Sequence, residues 1–354
     1  IRICLVGSEM CIRDRLNSLA EDVKYLREND KEVIIVSSGA IAMGAKDLDL
    51  DMKNMKMDMN QAVSAVGQIH LMGSFKSAFE KNEIKISQIL LTLDDTEQRR
   101  RSINARRTID TLLKLGIVPV VNENDTIATS EIRYGDNDRL ASRVAQITSA
   151  DCLILLSNIN GLYSADPSTD EDVKLINKVS EIDKDIEKMI GQSISDYGKG
   201  GMKTKIQAAK TAMLSGCHLA ITNGSIMRPV KSLFEGRPCT WFEPTKTPLA
   251  ARKQWIAGTM KPVGKIIIDD GAVDALKKGS SLLPAGVKSV EGNFERGDVI
   301  EVLSSDQNKI GIGLAGYAAE ESIKIMGHKS DEIANILSYS YREEMIHKDD
   351  LVLI

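Results

Sequence analysis

Aromatic residues make up only 4% of the 354 residues, so the core must be mostly aliphatic. Histidine is scarcer still: His70, His218, His328 and His347 are scattered and show no metal-ligand spacing. Five cysteines (Cys4, Cys11, Cys152, Cys217, Cys239) form no CxxC pair and lie far apart. That argues against a disulfide framework or a zinc site and predicts reduced thiols in a cytoplasmic protein. No apolar run approaches the ~20 residues that span a bilayer. The longest candidate, 33–45, has 13 uncharged residues and is diluted by Ser, Gly and Ala. Neither charge sign dominates: 46 Lys+Arg stand against 50 Asp+Glu, a net charge of −4. Such a balance disfavours a mainly electrostatic nucleic-acid or membrane binder. There is no internal repeat, no low-complexity stretch and no signal peptide in the opening IRICLVGSEMCIRDR.

What remains is ordinary globular composition, 42% hydrophobic and 27% charged. At roughly 100–200 residues per domain, the length suggests two domains. Apolar spacing predicts helices over 16–29, 60–81, 96–115, 140–148 and 202–215. Short unpatterned apolar runs predict buried strands at 33–36, 86–93, 117–121, 152–156 and 218–222. This alternation reads as an α/β fold, a mostly parallel sheet sandwiched by helices. Five of eight prolines fall between Pro229 and Pro262, which reads as a domain end and linker. Beyond it, short strands at 266–268, 299–303 and 310–314, punctuated by glycines, suggest a small β-rich domain.

Four of the strands end in small polar loops: SSGA after 36, NEND after 121, SNING after 156 and NG after 222. In open α/β sheets ligands sit beyond the carboxyl ends of strands, although such residues also simply form turns. An acid in Asn122-Glu123-Asn124-Asp125 could pair with a substrate ammonium group. Gly135-Asp136-Asn137-Asp138 precedes a helix; an Asp there either caps it or meets a polar substrate. Gly198-Lys199-Gly200-Gly201-Met202-Lys203-Thr204-Lys205 opens another helix. It lacks Walker A order and reads as a phosphate cradle or a basic linker. A cradle, acids and amides without a nucleophile–base pair match the demands of phosphoryl transfer.

In this order, these segments resemble glutamate 5-kinases, an amino acid kinase domain followed by a PUA domain. The resemblance runs from about Leu16 to the C-terminus. It also rests on Val36-Ser37-Ser38-Gly39-Ala40-Ile41-Ala42, Gly161-Leu162-Tyr163, Ala165-Asp166-Pro167, the 279–286 run GSSLLPAG and the 292–298 run GNFERGD. It implies a kinase domain over 1–258, a linker over 259–263 and a PUA-like domain over 264–354. The implied reaction is ATP-dependent phosphorylation of the L-glutamate side chain, the first step towards proline, with Mg²⁺ carried on the nucleotide. By position, Ser38, Asp125 and Asn137 match glutamate-binding residues. Ser157, Asn158, Lys199, Gly200, Gly201, Met202, Lys203, Thr204 and Lys205 match nucleotide segments. Lys205 would hold the transferring phosphoryl group and Asp138 would orient the lysines. Proline as feedback inhibitor and a dimer or tetramer are further implications. Acetylglutamate kinase and aspartokinase resemble only the first domain. Two rival readings are another amino acid kinase and an RNA-binding or regulatory protein acting through the second domain. That second domain lacks a dense basic stripe with interleaved aromatics.

The chain departs from the family in two places. Ser157-Asn158 stands where the family has Thr-Asp or Ser-Asp. The family also opens with an apolar strand and a lysine before a Gly-Ser/Thr-Ser turn, whereas no Lys precedes Gly7-Ser8 here. On this reading residues 1–14 are foreign to the family, the first strand is missing or replaced, and turnover is impaired.

Overall fold

The computed structural model describes residues 2–4, 9–52, 55–128, 136–165, 173–187, 201–259, 261–339 and 342–354. The chain divides into two compact units, Ile1–Thr247 and Pro248–Ile354.

Among the described residues the first unit carries eight strands: β1 (Arg2–Cys4), β2 (Ile35–Ser38), β3 (Ile86–Leu91), β4 (Val118–Glu123), β5 (Cys152–Ser157), β6 (Lys178–Val179), β7 (His218–Asn223) and β8 (Thr240–Phe242). Their order in the sheet is β3-β4-β2-β1-β5-β7-β8-β6. Every neighbouring pair is parallel except β7–β8. The helices among the described residues are α1 (Glu9–Glu28), α2 (Ala40–Asp47), α3 (Met57–Glu80), α4 (Leu93–Glu97), α5 (Arg99–Lys114), α6 (Asp136–Thr148), α7 (Gly201–Leu214) and α8 (Pro229–Phe234).

Both faces of the sheet are buried, which is why its strands read as unbroken apolar runs. Ile35, Val120, Ile154 and Leu156 join Leu16, Leu19 and Val23 of α1 and Leu71, Phe75 and Phe79 of α3. Val36, Val121, Leu153 and Leu155 turn the other way, towards Ile109 of α5, Leu140 and Val144 of α6, and Ile206 and Ala209 of α7. With few aromatics available, the tilted Phe75–Phe79 pair, 5.9 Å between centroids, is a local exception in an aliphatic core.

Several elements differ from the sequence reading. A three-residue strand, β1, stands between β2 and β5, at the position of the first strand that the sequence reading had as missing or replaced. α1 begins at Glu9 rather than near Leu16. The single helix expected over 96–115 is two helices, because Gln98 adopts extended backbone (φ −72°, ψ 114°). A capping box starts the first of them. Thr92 accepts from the Asp95 N–H at 3.2 Å, and the Asp95 carboxylate accepts from the Thr92 N–H at 2.8 Å.

The proline-rich stretch is also more ordered than a linker. Pro229 and Pro248 open α8 and α9 (Pro248–Thr259), at the one turn where a missing N–H costs nothing. The compact units meet at 247/248, which groups α9 with the second. Arg252 of α9 donates from Nε and Nη2 to Asp350 Oδ1 at 2.9 and 2.6 Å, which binds this helix into the second unit.

That unit further holds β9 (Gly264–Ile268), α10 (Asp270–Lys277), β10 (Val287–Gly292), β11 (Val299–Ser304), β12 (Lys309–Leu314), α11 (Ala319–Ile325), α12 (Ile333–Leu337) and β13 (Leu351–Leu353). The sheet order is β10-β9-β11-β12-β13, antiparallel apart from β9–β11. Ile266, Ile268, Ile300, Val302 and Tyr317 fill its core. Among the described residues, no helix is long and apolar enough to cross a membrane.

Candidate active site

The polar loops gather where the parallel strands end. β2 runs out in the buried Ser37 and half-buried Ser38. Gly39 follows at φ 109°, a conformation that side-chain-bearing residues rarely adopt, and turns the chain into α2. The Ser37 carbonyl accepts a hydrogen bond from Asn137 Nδ2 at 3.0 Å. Asn137 sits in the first turn of α6, so this bond ties the end of β2 to the start of that helix.

The next residue, Asp138, is completely buried. Its Oδ2 accepts from Lys205 Nζ at 3.0 Å and from Thr204 Oγ1 at 3.1 Å. Lys205 is itself only 7% exposed. A lysine and a carboxylate taken out of water together must be well paired, because either one alone carries a large desolvation penalty. The pair fixes an ammonium group at the first turns of α6 and α7, where it can stabilise transferring negative charge without reorganising.

Asp125, 8% exposed, lies just beyond β4, which pairs in parallel with β2. Its Oδ2 accepts from Ser64 Oγ of α3 at 2.5 Å, a short charge-assisted bond. Ser37, Asn137, Asp138 and Lys205 thus form one linked group next to Ser38, and Asp125 lies just beyond the adjoining strand.

The residues matched to nucleotide binding occupy two places. Ser157 ends β5 and Asn158 follows it, with Ser157 Oγ 3.3 Å from Asn158 Oδ1. Gly201, Met202, Lys203 and Thr204 form the first turn of α7, with Lys203 exposed and open space where a Cβ at Gly201 would point. Lys199 and Gly200 lie outside the described residues, as do Gly135, Asp166 and Pro167. Gly161 is explained by packing: a Cβ there would lie 2.3 Å from Thr240 Oγ1, which accepts the Leu162 N–H. Among the described residues no cluster of three or more His, Cys, Asp or Glu could hold a metal ion.

Sequence reasoning missed how this site is held. Ser64 went unnoticed, although a serine in the apolar stretch AVSAVG of a helix is a visible irregularity. Also missed was the brace between α1 and the β7–α8 loop. Asp22, fully buried, accepts from Arg228 Nε at 2.8 Å and from the Val230 N–H at 2.7 Å, which caps α8. Ser18 Oγ accepts the Arg228 N–H, and Arg15 donates to the Gly224 carbonyl at 3.3 Å. Gly224 in turn donates to the Ser157 carbonyl at 2.7 Å, beside the matched nucleotide residues.

Comparison with known proteins fits this arrangement. The profile of the Amino acid kinase family matches residues 5–223, and that of the PUA domain matches residues 264–337. The sheet and the family match over residues 5–223 define an amino acid kinase. The full-length relatives make the family specific. Glutamate 5-kinase of Pelagibacter ubique is 54% identical over 359 residues, covering 99% of this chain and 98% of that protein. That of Paramagnetospirillum magneticum is 49% identical, covering 99% and 97%, and that of Agrobacterium fabrum is 50% identical, covering 96% and 88%. The chain belongs to the glutamate 5-kinase family.

Proposed function

We propose that this chain transfers the terminal phosphoryl group of MgATP to the side-chain carboxylate of L-glutamate. The products are ADP and γ-glutamyl phosphate, in the first step of proline biosynthesis. The observation that carries the reading is the buried Lys205–Asp138 pair, joined through Asn137 to the end of β2. Lys205 neutralises charge on the phosphoryl group as it moves. Asp138 holds Lys205 and leaves its ammonium no freedom to swing away. Ser38, Asp125 and Asn137 bind the acceptor, with Asp125 facing its ammonium group. The exposed Lys203, the open first turn of α7 and the Ser157–Asn158 edge take the nucleotide phosphates, which bring Mg²⁺ with them as part of the substrate. Positioning and charge neutralisation then suffice, because phosphoryl transfer needs no covalent enzyme intermediate.

The regulatory and assembly features implied by the family extend this proposal. Free proline, the end product, inhibits at or beside the acceptor site. The protein works in the cytoplasm as a homo-oligomer, a dimer or tetramer.

The test is ADP release from MgATP with and without L-glutamate, run on this chain and on one carrying a family-type first strand and lysine before Gly7. Glutamate-dependent release is expected from both. The present chain should be slower by ~10²–10³, as when one transition-state donor is lost. Folded protein that releases no ADP in either form would refute the proposal. A panel of aspartate, acetylglutamate and glutamate identifies the acceptor, and faster turnover of either of the first two would name another amino acid kinase.

A further inference from the structure

Three polar side chains of α3, at positions 61, 64 and 68, share one face of the helix because they are spaced three and four apart. Each meets the segment that follows the core of β4. Gln61 Nε2 donates to the Ala128 carbonyl at 3.0 Å, and Ser64 Oγ donates to Asp125 Oδ2 at 2.5 Å. Gln68 Oε1 accepts from Asn122 Nδ2 at 2.8 Å. The contacts run in opposite senses along the two segments, 61 to 128, 64 to 125 and 68 to 122. The helix therefore matches the loop residue for residue.

The same helix is locked to α2 on another side. A Cβ at Gly67 would lie 1.8 Å from the Ala40 carbonyl oxygen, and one at Gly44 would lie 1.9 Å from that of Val63. The two backbones touch, and neither helix can slide without a steric clash. α2 begins immediately after Ser38 and Gly39. One helix is thus referenced to Ser38 through backbone contact and to Asp125 through a hydroxyl.

We propose that Ser64 is a positioning residue for the acceptor amino acid, and that α3 sets the separation between Ser38 and Asp125 and with it the length of acceptor the site takes. The inference rests on the assignment of Ser38 and Asp125 to the acceptor. Ser64 is 3% exposed, so its hydroxyl cannot be replaced by bulk water when it is removed. Asp125 Oδ2 would then lose this hydrogen bond, and the carboxylate assigned to the acceptor's ammonium group would be held less firmly. Gln61 and Gln68 hold the two ends of the same segment.

The test compares Ser64→Ala, Ser64→Thr and Gln61→Ala in the full chain. In Ser64→Ala the KM for glutamate should rise about 10-fold, while kcat and the KM for MgATP stay within about twofold. Selectivity for glutamate over aspartate should narrow, and Ser64→Thr, which keeps the hydroxyl, should restore most of it. An unchanged KM for glutamate overturns the proposal. So does a joint loss in kcat and both KM values alongside a lowered melting temperature, the mark of a merely structural serine. Hydrogen exchange supplies a readout independent of turnover. The amides of 122–128 should exchange about 10-fold faster in Ser64→Ala and Gln61→Ala, with those of β5 unchanged. Unaltered exchange also overturns it. If the wild-type chain shows no glutamate-dependent ADP release, the proposed function fails, and the exchange measurement still decides whether α3 holds the loop.

Discussion

Lys205 Nζ and Asp138 Oδ2 lie 3.0 Å apart, the lysine side chain 9% exposed and the aspartate wholly buried. Changing either one removes a buried counter-charge from the other. Lys205→Met should lower kcat by ~10²–10³, by analogy with the loss of one transition-state donor. Asp138→Asn should weaken folding by about 3–5 kcal/mol as well as slow turnover. Steady-state kinetics and urea unfolding on the same samples separate the two effects.

Asp22 does comparable work in a place with no chemistry of its own. It caps α8 and pairs with Arg228, which stands at φ 53°, a left-handed conformation uncommon for a residue with a side chain. Asp22→Ala removes the cap and the ion pair together, and should cost about 2–3 kcal/mol of stability. Chemical denaturation measures this, and no loss would mean that the loop is held by other means.

Two glycines of one helix should respond in opposite directions to the same substitution. Gly67→Ala drives a methyl group into the Ala40 carbonyl and should severely destabilise the protein. At Gly73 a Cβ meets nothing within 4 Å. Gly73→Ala should stabilise by about 0.5–1 kcal/mol through helix propensity alone. Melting temperatures of the pair check both signs at once.

Burial pushes the Cys217 thiol up to about 12 from an ordinary value near 9, with the neighbouring Cys152 adding to the shift. The folded state therefore binds this proton more tightly than the unfolded chain does. Stability from this group is complete below pH 9 and is lost progressively as the pH rises from about 9 towards 12. Cys217 should also resist alkylation at pH 8 in the folded protein and react after denaturation, as mass spectrometry would show. The acid limb runs the other way. Burial alone would raise the Asp95 pKa, but the Thr92 N–H and hydroxyl and the Arg101 guanidinium hold it below the usual carboxylate range. That contribution is present above about pH 4 and fades as the pH falls further.

Much of the fold was legible because parallel strands buried on both faces leave plain apolar runs, as Leu153 to Leu156 do between two cores. Boundaries were less legible. Gln98 breaks a long helical pattern through one ψ angle, which no residue type announces. Pro229 and Pro248 looked like linker signals because proline marks helix starts as well as helix stops. At the site, residues in loops stood out by composition, whereas Ser64 and Asp22 did not. They act from helices, at long sequence separation, on groups 61 and 206 residues away. Such pairings depend on which elements the fold stacks together, and one chain read alone carries little trace of them.

Asn137 and Asp138 are consecutive, yet in the proposed mechanism they serve opposite halves of the site. One reaches the end of β2 and the other holds Lys205 on α7. Successive residues of a helix point about 100° apart, so on the proposed assignment this single step spreads the first turn of α6 between the acceptor and donor sites. The helix is a common axle. A rotation that improved the grip on one substrate would loosen the grip on the other, and inserting or deleting one residue in that turn would throw both out of gear together.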